Sequence, residues 1–412
     1  MPRIKIKNFG PIKDGCLENG GWIEIDKVTA FIGNQGSGKS TITKLISTFM
    51  WIEKVLFRGD FDIKWFKRKN RFKNTILPYH RIEKYLSKES VIDYQGEVFD
   101  ISLKDDRLQI TEKKAGYALP QIMFVPAERN FVAYVKSPKM LRLASGSLLD
   151  FIDMFEEAKR SISKTVELPF NNVKVNYDRL NDRLNLLGPG YRIPLFDAAS
   201  GFMSVVPLYL VSSYLAQTVI NINDDNAALS GLERENFKKE LEKILTEDMP
   251  DEMRKIAISS LVKRFVKKSF VNIVEEPEQN LFPSSQWNLM KKLLEINNSK
   301  PANRFIFSTH SPYIISYLSL NLKAYMVKQM IEQADDKTKS NALEKLKNLQ
   351  EISLNSLIAP GQLNIYQVTD NGSVSRLPET SGIPSDNNFL YNYLDRANNL
   401  YDDLLEIEDM VE

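Results

Sequence analysis

Residues 28–46, VTAFIGNQGSGKSTITKLI, decide the fold. Val28–Ile32 reads as a strand buried on both faces. It runs straight into Gly33-Asn34-Gln35-Gly36-Ser37-Gly38-Lys39-Ser40-Thr41, which matches G-x-x-x-x-G-K-[ST]. Residues 41–57 then carry Ile42, Leu45, Ile46, Phe49 and Ile52 on one helical face. Strand, glycine loop and helix in that order form a phosphate cradle. Glycines let backbone N–H groups turn inward, and the helix N-terminus adds partial positive charge at the same point. A glycine-rich turn without a ligand is the bland alternative, and the flanking strand and helix argue against it. On this reading Asn34, Gly36, Ser37, Gly38, Lys39, Ser40 and Thr41 contact a nucleotide, with Lys39 on the β- and γ-phosphates and Ser40 on Mg²⁺.

Three later segments bear on the same chemistry. Phe270–Pro283, FVNIVEEPEQNLFP, is an apolar run ending in Glu275-Glu276. A carboxylate just past a buried strand can hold Mg²⁺ through its water shell, which assigns Glu275 to the metal. The next carboxylate can orient and polarise a water, which assigns Glu276 as the base. Arg304–Pro312, RFIFSTHSP, is a strand followed by Ser-Thr-His. There His310 could hydrogen-bond a γ-phosphate and sense its loss, although a lone histidine is more often a cap or a core residue. Ala198–Phe202, AASGF, precedes a long apolar stretch. Ser200 and Gly201 at a helix start offer a hydroxyl and unpaired N–H groups to an anion, or simply an N-cap.

Elsewhere, residues 3–9 alternate with Ile4 and Ile6 against Arg3, Lys5 and Lys7, a strand signal. A further strand is expected near Trp22–Ile25, antiparallel strands at 91–113, and a buried strand at Gln121–Pro126. Residues 139–168 and 231–268 have helical character, 171–193 are polar, and 320–350 read as a strand followed by a polar helix. Gly201–Ala216 contains Pro207 and falls short of the roughly 20 residues that span a bilayer, so a buried helix is expected.

Lys+Arg total 55 against Asp+Glu 53, a formal net charge of +2, so any nucleic-acid site must be a local patch. The candidate is residues 64–73, where Lys64, Lys67, Arg68, Lys69, Arg71 and Lys73 surround Trp65, Phe66 and Phe72; a solvated face with inward aromatics is the competing reading. The run Lys263–Lys268 is expected at the surface. One cysteine, Cys16, excludes an intrachain disulfide. Two histidines, His80 and His310, exclude a zinc site built on several imidazoles. No signal peptide opens the chain, and a cytoplasmic protein without membrane attachment is expected.

Taken together, FIGNQGSGKST, VNIVEEPEQNLFP, STHSP and ASGF resemble the Walker A, Walker B with D-loop, His-switch and signature elements of ABC-type ATPase heads of the SMC, Rad50 and RecF kind. The opening IKIKNFGPIKDG is similar to their N-terminal strand. The E-E-P-E form and the S-G-F signature look most like the OLD-like class, including the ATPase subunits of the PARIS and Septu anti-phage systems. The resemblance implies an α/β P-loop NTPase fold, an ABC ATPase head with a mixed sheet, an antiparallel β subdomain and a helical signature-bearing subdomain. It divides the chain into an N-terminal ATPase lobe (1–130), a helical subdomain (131–268), a C-terminal ATPase lobe (269–320) and an α/β extension (321–412).

The resemblance also implies ATP with Mg²⁺, and at least a dimer in which Ser200 and Gly201 of one copy complete the γ-phosphate site of another. Arg129, in Pro126-Ala127-Glu128-Arg129, would lie near the nucleotide. Glu275 stands where many such heads carry Asp, the full L-S-G-G-Q signature is absent, and no Q-loop glutamine stands out beyond Gln95 and Gln121. The 131–190 stretch is at most a short helical insertion, with no coiled-coil arms. The last residues hold no Toprim-like D-x-D, so no nuclease in cis is expected.

The leading function is an ATPase subunit of an anti-phage defence complex that holds or releases a separate effector, a Toprim-type nuclease, when a phage-encoded trigger is sensed. The alternatives are a RecF/SMC-like DNA-binding ATPase of repair or maintenance, and an ATP-gated scaffold with vestigial catalysis.

Overall fold

The computed structural model describes residues 1–135, 145–220 and 231–411. The chain begins with β1 (Arg3–Phe9), β2 (Trp22–Glu24) and β3 (Val28–Gly33), enters α1 (Lys39–Arg58) and the single turn α2 (Ile63–Phe66), then forms β4 (Leu86–Gln95), β5 (Phe99–Lys104) and β6 (Arg107–Glu112). β7 (Pro120–Val125), α3 (Phe131–Tyr134) and α4 (Gly146–Ser161) precede four short strands, β8 (Thr165–Glu167), β9 (Lys174–Asp178), β10 (Arg183–Gly188) and β11 (Tyr191–Pro194). α5 (Ser200–Ile220), α6 (Gly231–Thr246) and α7 (Asp251–Phe265) lead to β12 (Ser269–Glu275), α8 (Pro283–Asn298), β13 (Arg304–Thr309), α9 (Pro312–Glu332) and α10 (Asp336–Lys347). β14 (Leu363–Val368), β15 (Val374–Arg376) and α11 (Phe389–Val411) follow.

The central sheet has the order β15-β14-β3-β13-β12-β7. All its neighbours are parallel except the edge pair β14–β15. Every residue of β3 and of β12 is buried, because both faces of this sheet are covered. Val28, Ala30 and Ile32 meet α4, α5, α8 and α9 through residues such as Phe151, Val205, Leu289 and Ile314. Phe31, Ile273 and Ile306 meet Ile42, Leu45, Ile46 and Phe49 of α1 on the other face. A five-stranded antiparallel sheet, β2-β1-β4-β5-β6, then covers α1 with Ile4, Ile6, Ile92 and Ile101. Thus α1 lies between two sheets, and the α/β fold expected of a P-loop ATPase head, with its mixed sheet, antiparallel β subdomain and helical subdomain, is the fold observed.

Several expectations are corrected. Residues 165–194, which begin inside the 131–190 stretch expected to be at most a short helical insertion, form the antiparallel sheet β11-β10-β9-β8. Only Val175, Leu184 and Leu186 of its strands are buried hydrophobics in the core, with Val166, Tyr177 and Ile193 partly buried against it, and strands of three to six residues leave too short a run for alternation to emerge in the sequence. The strand expected after residue 320 is instead the second half of α9, whose buried Ile314, Leu318, Asn321, Leu322 and Ala324 recur at helical spacing. Nor is residue 320 a structural boundary. β14 pairs with β3 along Leu363–Val368, Tyr366 stacks on Phe31 at 5.7 Å, and its hydroxyl accepts from the Glu24 amide at 2.8 Å. The six-residue run LNIYQV carries no clear period in the sequence, because Asn364 and Gln367 interrupt its apolar residues.

α5 is longer than the apolar stretch suggested. It is 21 residues long and passes the length and composition of a membrane span, but 67% of that window is buried inside the protein, against α4, α8 and β12 among others. Of the Lys263–Lys268 run, Lys267 is buried, its ammonium 2.8 Å from Glu233. The expected helical start at 139–144 lies outside the described residues.

Candidate nucleotide site

The glycine loop stands at the carboxyl end of β3, between the ends of β13 and β14, where open α/β sheets bind ligands. Gly33 has φ +144° and a Cβ there would overlap the Val368 carbonyl. Gly38 has φ +114° and a Cβ would overlap Ile12. Both positions therefore need glycine on conformational and steric grounds. Lys39 is 5% exposed and curls back onto the loop, donating to the carbonyls of Gly33 at 2.9 Å and Asn34 at 2.6 Å. Burial lowers its pKa to about 8, against the pull of Glu276, Glu278 and Asp370. Asn34 also donates to Asp370 at 3.0 Å, so the β14–β15 turn pins the loop from one side.

The carboxylates arrive on the neighbouring strand. Glu275, the last residue of β12, pairs in register with Ser308. Its Oε2 accepts from the Ala127 amide at 3.1 Å, while Oε1 is buried, 3.7 Å from the Lys44 ammonium and without a hydrogen-bond partner among the described residues. Burial raises its pKa, offset by Lys44 and the Ser40 hydroxyl. Glu276 has φ +46°, an unusual conformation for a non-glycine residue. It is held there because its amide donates to the Ser308 carbonyl at 2.9 Å and its carbonyl accepts from Arg129 at 2.6 Å. Its half-buried carboxylate points to His310, Nε2 to Oε1 3.6 Å. Desolvation and the Lys39 charge lower the His310 pKa, although Glu276 and the Gly33 carbonyl favour the charged ring, so the imidazole is neutral near pH 7.

Lys39, Ser40, Glu275, Glu276 and His310 are thus brought together. Ser37 and Thr41 are buried in the loop and the first turn of α1, and Gly36 is exposed at the rim. Ser37 Oγ is shielded and without a hydrogen-bond partner among the described residues.

Arg129, Ser200, Gly201 and Gln95 lie outside the glycine loop of their own copy. Arg129 is fully buried beneath the site, where its guanidinium serves backbone carbonyls: Glu275 at 2.7 Å, Glu276 at 2.6 Å, Ser204 at 3.2 Å and Pro126 at 3.3 Å. It positions the paired glutamates and offers no donor to the loop. Ser200 is exposed at the first turn of α5, and no hydrogen bond among the described residues joins it to the loop. Gly201 packs under the Asn280 carbonyl, 2.7 Å from where a Cβ would stand, so the start of α5 leans on the turn after the glutamates. Gln95 is remote, accepting from Arg3 at 2.7 Å in the antiparallel sheet.

Sequence reasoning missed Glu278, Lys44 and Asp370. Glu278 lies in the same E-E-P-E run, and its Oε1 accepts from the His310 amide at 2.6 Å. Lys44 is one turn past the loop on α1, a spacing that could have suggested it. Asp370 is 336 positions from its partner Asn34, and no local pattern links them.

A hard cation fits what is present. The Ser40 hydroxyl and the Glu275 carboxylate, whose Oε1 accepts no hydrogen bond among the described residues, are adjacent oxygen ligands. No cluster of three or more His, Cys, Asp or Glu is found among the described residues, so a cation here would depend on phosphate oxygens for its remaining ligands.

No protein-family model and no curated protein matches the chain. Among solved structures it is similar to the SMC head domain from Thermotoga maritima, with 13% identity, 92% of this chain and 98% of that one covered, and a TM-score of 0.33. It is similar to the SMC head bound to the C-terminal winged-helix domain of ScpA, with 11% identity, coverage of 76% and 90%, and a TM-score of 0.35. It is also similar to the SMC head with an extended coiled coil bound to the C-terminal domain of ScpA from Pyrococcus furiosus, with 12% identity, coverage of 98% and 100%, and a TM-score of 0.33.

Proposed function

We propose that this chain is an ABC-type ATPase that binds Mg·ATP at residues 33–41 and hydrolyses it when two copies meet head to tail. The observation that carries the reading is the convergence of Lys39, Ser40, Glu275, Glu276 and His310 at the carboxyl ends of three adjacent parallel strands. Lys39 would exchange the carbonyls of Gly33 and Asn34 for phosphate oxygens. Mg²⁺ held by Ser40 and Glu275 would neutralise charge on the β- and γ-phosphates. Glu276 would orient the attacking water and take its proton, steadied by the left-handed turn that Arg129 and Ser308 enforce. His310, neutral and next to both Lys39 and Glu276, would bond the γ-phosphate and report its departure.

The exposed Ser200 hydroxyl supports a role in trans, because it is open to a second copy. ATP would then join two heads, and its hydrolysis would loosen them. On the same reading the protein is a cytoplasmic subunit of an anti-phage defence complex. It would hold or release a separate effector, a Toprim-type nuclease, when a phage-encoded trigger is sensed. Mass photometry with and without Mg·ATP tests the core of this reading. A nucleotide-dependent dimer is expected, and an unchanged mass together with an empty loop at millimolar ATP would overturn it.

A second reading, DNA binding in repair or maintenance, draws on residues 64–73. Lys64, Lys67, Arg68, Lys69 and Lys73 are exposed, while Phe66 and Phe72 are buried. That surface suits phosphate contacts rather than base stacking. DNA-stimulated ATPase activity that falls steeply with salt would favour it.

A further inference from the structure

A cavity of about 490 Å³ lies beside the carboxyl-terminal half of α1. Its walls come from α1, β7, α4, the 61–80 segment and Glu233 of α6, and none of Gly33–Thr41, Glu275–Gln279 or Ser308–His310 lines it. It is therefore separate from the nucleotide site, within the size range of small-molecule pockets.

Its chemistry is specific. Trp51, Phe61 and Trp65 form one aromatic wall, with ring centroids 6.0 Å (Trp51–Phe61) and 4.6 Å (Phe61–Trp65) apart. His80 is 2% exposed, and neither of its ring nitrogens has a hydrogen-bond partner among the described residues. Burial lowers its pKa to about 3, so the ring is neutral and offers one donor and one acceptor. Gln121 is 5% exposed, and its side-chain oxygen is likewise without a hydrogen-bond partner. Burying such groups without hydrogen-bond partners is unfavourable, and here they are gathered in one cavity.

Charge narrows the choice of ligand. Lys54 and Arg58 each approach Glu233 at 2.7 Å, Lys267 does so at 2.8 Å, and Arg58 also binds Asp60. Asp150 also lines the cavity, its Oδ2 accepting from the Tyr79 hydroxyl at 2.6 Å. The cations are thus met by carboxylates, and a phosphate would have to compete with Glu233 and Asp60 for them. What the cavity asks for is a planar, uncharged molecule with a π face for the aromatic wall and an edge carrying both donors and acceptors.

We propose that this cavity is a second ligand site, taking an uncharged nucleobase or nucleoside. Adenosine and guanosine titrated into the full-length Lys39→Ala protein, followed by tryptophan emission, should saturate with Kd below about 1 mM. AMP should bind at least about ten-fold more weakly because its phosphate must compete with Glu233 and Asp60 for the cations. Thr75→Trp, which fills the cavity from an exposed position, and His80→Phe should each weaken the nucleoside at least about ten-fold. His80→Phe should leave the melting temperature unchanged or raised, since an unpaired imidazole is lost. Absence of saturation, undiminished binding by both variants, or AMP binding as well as adenosine would overturn the proposal. A nucleoside-soaked crystal of the wild-type chain decides it whatever the variants do. Ligand between Trp65 and His80 supports the site, and ligand elsewhere only, or none, refutes it.

Discussion

The amide of His310 donates to the carboxylate of Glu278 at 2.6 Å, tying the end of β13 to the turn that carries Glu276. The other oxygen of Glu278 is shielded and without a hydrogen-bond partner among the described residues. Glu278 thereby sets where His310 stands relative to Glu276, 3.6 Å away. Replacing it by alanine orphans the His310 N–H and should cost about 1–3 kcal/mol in denaturant unfolding. Glu278→Gln should retain the bond. Burial raises the Glu278 pKa in the fold, so its contribution is full below the ordinary carboxylate pKa and lost as pH rises through the raised value. The stability of Glu278→Gln relative to the native chain should therefore increase with pH across that interval, and a pH-independent difference would contradict the assignment.

Lys39 has a pKa lowered to about 8 by burial. Phosphate binding needs the ammonium, so ATP affinity should fall above about pH 8 by up to roughly ten-fold per pH unit, with proton uptake on binding. The ligand-free chain should behave oppositely. Its Lys39 contribution to stability grows as pH rises from about 8 toward 10.5, because the unfolded chain holds more protons there. Calorimetric titrations in buffers of different ionisation heat measure the uptake. Lys39→Ala should lose ATP binding and nucleotide-dependent assembly together, and assembly that persists without ATP binding would remove ATP from the mechanism.

Glu276→Gln should lower turnover by about 100-fold or more with nucleotide binding retained, since it removes only the proton acceptor. The variant should accumulate as an ATP-bound dimer by mass photometry. An unaltered rate or unaltered phenotype would favour the vestigial-scaffold reading.

Ser200→Arg should bind ATP as a monomer yet neither dimerise nor hydrolyse. Mixed with Lys39→Ala, it should recover part of the activity, because the pair forms one composite site with Lys39 from one copy and Ser200 from the other. No recovery across mixing ratios would argue against completion in trans.

Arg129→Ala should destabilise the chain by about 3 kcal/mol or more. It removes a buried cation that holds four backbone carbonyls. Turnover should fall more than ATP affinity, because Arg129 holds the Glu276 turn and not the loop.

Sequence alone determined the loop from Gly33 to Thr41, the strands ending in Glu275 and Ser308, and the α1 face, because each is a local pattern of glycine, charge or period. It also marked the inward aromatics of 64–73 as a competing reading, which Phe66 and Phe72 obey. Tertiary structure decided the rest. Arg129 sits under the glutamates, Asp370 clamps Asn34 from across the sheet, and β14 completes the sheet beside β3. The reason is physical: a residue's neighbours along the chain set its local conformation, but which carbonyl a buried guanidinium meets depends on strand order and packing, which no short-range pattern encodes.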